Sequence, residues 1–160
     1  MAHKGIATLA SALVMCFFLL SRFDSQFFLL HFYEALIYLV IVLMLFYFHE
    51  RWAYMLGMVA PAGWLVLLFT TGGLNEFWVR LTQGMHGESI KGAAPAAIGA
   101  LISILSVAMI FSSGYRWRRE FSGLKQGAST FLVSLGIVSA YYAVLVLWFW
   151  KAATQSLSPR

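Results

Sequence analysis

The chain has 160 residues, of which 61% are hydrophobic and only 11% charged, and its mean hydropathy is +0.80. A soluble domain of this length is about one-quarter charged, so these charges are too few to cover a surface facing water, and a water-soluble globular fold is excluded. The net charge of +5 raises nucleic acid as a partner. No basic stripe lies on a polar face, however, and the excess reads as topogenic charge against anionic headgroups, with no nucleic-acid role.

Five apolar runs are predicted to cross a bilayer as helices, at 5–21, 27–48, 52–71, 92–113 and 128–150. Together they form one all-α transmembrane domain over 1–160, a polytopic helical bundle. The first run follows Lys4 and has the basic start of a signal peptide. Ser21-Arg22-Phe23-Asp24 is not a small-x-small cleavage site, so it is predicted as an uncleaved span that uses Ser21 and the snorkelling Arg22 to reach the interface. Cys16 sits in this run as the one cysteine, a small packing residue with no disulfide partner. The second run is about 33 Å long as a helix and closes on His49-Glu50-Arg51. Such a tight turn predicts an antiparallel hairpin with the third run, where Pro61, Gly57 and Gly63 predict a kink.

Gly72-Gly73 opens the longest polar connection. Its stretch 75–83 places Phe77, Trp78 and Leu81 on one helical face, predicting a short interfacial helix. The fourth run is distinct in its small residues, among them Gly92, Ala96, Gly99 and Ala100, and the fifth carries Gly136 and Ala140. Small residues let a neighbouring helix backbone approach closely, so both sets are candidate helix-packing faces. Between these two runs, 115–126 reads as a basic loop, and the tail after 150 as unstructured.

Five spans put the termini on opposite sides. Lys4, Arg51, Arg116, Arg118, Arg119 and Lys125 fall on one side; Arg22, Arg80, Lys91, Lys151 and Arg160 fall on the other. The clustering at 116–119 favours a cytoplasmic (inner) membrane with the N-terminus inside and the C-terminus outside.

Glu34 is the one acidic group well inside a span, and His31 lies one turn away on the same face. A carboxyl within hydrocarbon marks a buried partner, a proton site or a pathway. The plainest of these is a pair near the interface that hydrogen-bonds across helices. A metal would need more ligands. His86 is on the same side in this topology, so His31, Glu34 and His86 form a weak candidate set without HExxH or paired ExxH spacing. His31 and His49 are roughly 27 Å apart along a helix, which excludes a bis-His haem within the chain and leaves His31 as a single axial ligand for a tetrapyrrole. Arg116, Arg118, Arg119 and Lys125 suit a lipid headgroup or an acidic partner surface. Tyr141 and Tyr142 either line a site or pack.

No Ser-His-Asp set, phosphate loop or thiol with a base is present, and no residue is assigned a catalytic role. The expected function is therefore non-enzymatic: an accessory or structural subunit in the lipid bilayer that associates with other membrane chains or with itself. On that reading Gly99→Leu or Ala96→Leu would disrupt assembly. A second reading is a small oligomeric transporter or channel with Glu34 as its proton or cation site. A third is a cofactor subunit of an electron-transfer or photosynthetic complex through His31. A lipid-modifying enzyme using His86 and Glu88 ranks last, and no particular cofactor is fixed by these residues.

Overall fold

The computed structural model describes residues 3–23, 27–48, 51–73, 75, 79, 82–83, 93–121 and 124–156, with the backbone alone at 3, 48, 93, 124–126 and 149–156. Five helices follow in chain order: α1 (His3–Phe23), α2 (Phe28–Leu43), α3 (Arg51–Thr70), α4 (Ala93–Glu120) and α5 (Leu124–Ser156). α2 runs on through a wider π-turn, Met44–Phe48. Each helix carries a stretch of 20 residues or more that is long and apolar enough to cross a membrane. At 1.5 Å per residue, 20 residues reach about 30 Å, the thickness of the hydrocarbon core.

The burial pattern follows helical spacing. On α1 the buried positions are Ile6, Ala7, Ala10, Leu13, Val14, Cys16, Phe17 and Leu20, a single stripe repeating every three to four residues. The opposite faces stay apolar, with Phe46, Phe69 and Phe111 each at least 65% exposed. Such surface is stable only against lipid. α1 and α3 are the inner helices, with 44% and 50% of their spans buried against 28% in each of the others.

Helix pairing departs from the expected hairpin of spans two and three. α2 lies chiefly on α1, α3 lies on α4 and α5, and α4 also packs along α1; α2 and α3 meet over a smaller contact. Glycines explain the preference. A Cβ on Gly57 would stand 2.8 Å from Ser113 Oγ, and one on Gly114 would stand 3.2 Å from Met58 Sδ, so α3 and α4 approach more closely than larger residues would permit.

Helix ends also differ from the hydropathy boundaries. The basic stretch expected as a loop is helical as far as Glu120, and α5 continues to Ser156. Hydropathy ends where the chain leaves hydrocarbon, whereas the helix ends where its backbone pairing stops. Arg116 and Glu120 form an i,i+4 ion pair at 3.6 Å that supports the extra turn. Ser21, expected at the interface, is buried and donates to the Phe18 carbonyl at 2.7 Å. α3 is continuous through the buried Pro61. It stops at Gly72, whose φ of +75° is the left-handed conformation that closes helices. Of the expected interfacial helix, Asn75, Val79, Thr82 and Gln83 are helical, and the other positions of 74–92 lie outside the described residues.

Candidate functional site

The most polar point of the core forms where α2 meets α3. Glu34, in the second turn of α2, is 9% exposed. Its Oε2 pairs with His31 Nδ1 at 2.9 Å, one turn earlier on the same helix. Its Oε1 accepts a hydrogen bond from the Trp64 indole N–H at 3.2 Å, across to α3. Trp64 in turn stands edge-on to Phe17 of α1 with centroids 5.7 Å apart, and Phe17 stacks on Tyr38 at 5.5 Å. Tyr38 follows Glu34 by one turn, so aromatic rings from three helices enclose the apolar side of the carboxyl.

A second set of bonds ties α5 to this point. Tyr33 and Tyr141 stack with centroids 4.4 Å apart, and each hydroxyl donates to the other residue's backbone carbonyl. Tyr142 donates to the Ala60 carbonyl on α3 at 3.1 Å. Tyr141 and Tyr142 therefore pack as interhelical donors. Among the described residues the hydroxyls of Tyr38, Ser106, Ser113 and Ser134 are buried without a well-formed hydrogen bond, that of Tyr38 lying beside Tyr142 and Ser106.

This geometry joins His31 and Glu34, as their spacing implies, and adds Trp64, which the sequence reading did not single out. The available signal was an indole N–H inside a span, where a donor without water needs a protein acceptor. Both carboxyl oxygens have protein partners, so the cluster works as a clasp between α2 and α3. Among the described residues no three His, Cys, Asp or Glu side chains gather to hold a metal; His86, the third member of the weak candidate set, lies outside them. His31 Nδ1 is engaged by Glu34, so axial ligation of a tetrapyrrole would have to use Nε2.

The small-residue positions divide. Ala96 and Gly99 are buried inside the fold and Ala100 is half-buried; Gly92 lies outside the described residues. Gly136 and Ala140 are exposed, and a Cβ on Gly136 would meet nothing within 4 Å. Beside them an apolar groove of about 790 Å³ runs between α3 and α5, lined by Gly63, Val66, Phe131, Val138, Tyr142 and Ala143 among others. At the opposite membrane face from Glu34, Arg118 and Arg119 are exposed and Arg116 is half-buried in its pair with Glu120; the Lys125 side chain lies outside the described residues.

No protein-family model, curated protein or solved structure matches the chain. The five apolar, membrane-length helices define the class on their own: this is a multi-pass α-helical membrane protein.

Proposed function

We propose that the chain is a non-catalytic subunit that assembles side by side with another membrane-spanning chain, using the outward face of α5. One observation carries this reading. α5 buries Thr130, Ser134, Val138, Tyr142 and Leu145 along one stripe, while Ser129, Gly136, Ala140 and Ala143 are all exposed on the far side. Lipid places no premium on small side chains, whereas a helix backbone approaching closely does. Ala96 and Gly99 serve this chain's own packing, whereas Gly136 and Ala140 stand one turn apart on α5 with no role in it. The proposed setting is a cytoplasmic membrane with the N-terminus inside.

The test uses the full chain extracted from its native membrane in mild detergent. It is expected to run above monomer mass in native mass spectrometry. Gly136→Leu and Ala140→Leu should return it to monomer mass while the monomer keeps its helix content and cooperative unfolding. A wild-type monomer, or an assembly indifferent to both substitutions, removes the reading.

A further inference from the structure

The spans alternate in direction, so the start of α1, the start of α3, the end of α4 and the start of α5 share one membrane face. That face carries Lys4, Arg51, Arg116, Arg118 and Arg119 among the described residues, against the single described carboxylate of Glu120. Glu120 is paired with Arg116, so it does not offset Arg118 and Arg119, which are exposed at successive positions of the last turn of α4, about 100° apart around the axis.

This turn is held in place. Trp117 and Phe121 pack with centroids 5.1 Å apart, and Phe121 meets Tyr54 of α3 at 6.1 Å. Gly127 of α5 lies against the Trp117 indole, where a Cβ would be 3.7 Å from the ring. Tyr54 also lies beside Glu120 and Arg116. The end of α4 is thus anchored to α3 and α5 by aromatic packing, with its exposed arginines at the end of an apolar span, the depth where headgroups lie. Arginine is suited to phosphate because its planar donors bind two oxygens at once.

We propose that this helix end is a binding site for the headgroup of an anionic phospholipid, with Arg118 and Arg119 as its principal contacts. Charge complementarity selects the occupant: an excess of cations at headgroup depth, beside a surface whose phosphates are the abundant anions. The proposal is independent of the assembly reading, since α4's basic end and α5's small face are separate surfaces.

The experiment titrates the purified full chain in neutral detergent with phosphatidylglycerol, following melting temperature and lipid retention by native mass spectrometry. Saturable stabilisation is expected, with none from phosphatidylcholine. Replacing both arginines (Arg118→Gln with Arg119→Gln) should weaken apparent affinity by about fivefold for each side chain removed. Arg22→Gln, an exposed cation at the opposite face, should leave it unchanged. Equal stabilisation by phosphatidylcholine, by inorganic phosphate alone, or of the double variant and wild type, would overturn the proposal.

Discussion

At the scale of single residues, Glu34 shows how a costly group is accommodated in hydrocarbon. A carboxyl there requires partners for both oxygens, and His31 and Trp64 provide them at 2.9 and 3.2 Å. Trp64→Phe keeps an aromatic ring but removes the N–H and part of the buried indole's volume, leaving Oε1 without its donor. It should lower stability by about 1–3 kcal/mol, measured by denaturation in micelles. Glu34→Gln keeps an acceptor for the indole and should cost less than Trp64→Phe. If the order is reversed, the indole bond is not what holds the carboxyl. His31 and Glu34 were legible as a pair because they lie one turn apart in sequence. Trp64 was not, because an interhelical bond between residues 30 apart depends on how α3 rotates against α2, and no local pattern records that rotation.

At the scale of elements, two glycines separate packing from propensity. A Cβ on Gly63 would meet Tyr142 at 3.0 Å and Val138 at 3.1 Å, and Tyr142 is fixed by its bond to Ala60. Gly63→Ala should therefore push α5 off α3 and destabilise by about 1–3 kcal/mol. Gly136→Ala meets nothing within the chain and should stabilise the isolated monomer by roughly 0.5–1 kcal/mol through helix propensity alone. Thermal unfolding of the two variants side by side checks the opposite signs. The existence and order of all five helices were legible, since long apolar runs have one outcome in a bilayer. Their ends were not, because α4 and α5 extend past the hydrocarbon, where hydropathy falls silent. Nor was their pairing, because it turns on close approaches such as Gly57 to Ser113 rather than on loop length.

At the scale of the whole molecule, an odd number of spans sends the two termini to opposite faces. Reporter domains fused to the two ends should report opposite compartments; a shared compartment would mean that one apolar helix does not cross. The packing order adds a consequence for synthesis. α1 lies between α2 and α4, so during synthesis it receives its second main neighbour only after the stretch up to residue 120 has been made. Until then one flank of α1 stays lined by lipid or by an assisting factor of the insertion machinery. A ribosome stalled before residue 93 would leave behind a species with α1 half-clothed, a ready mark for membrane quality control.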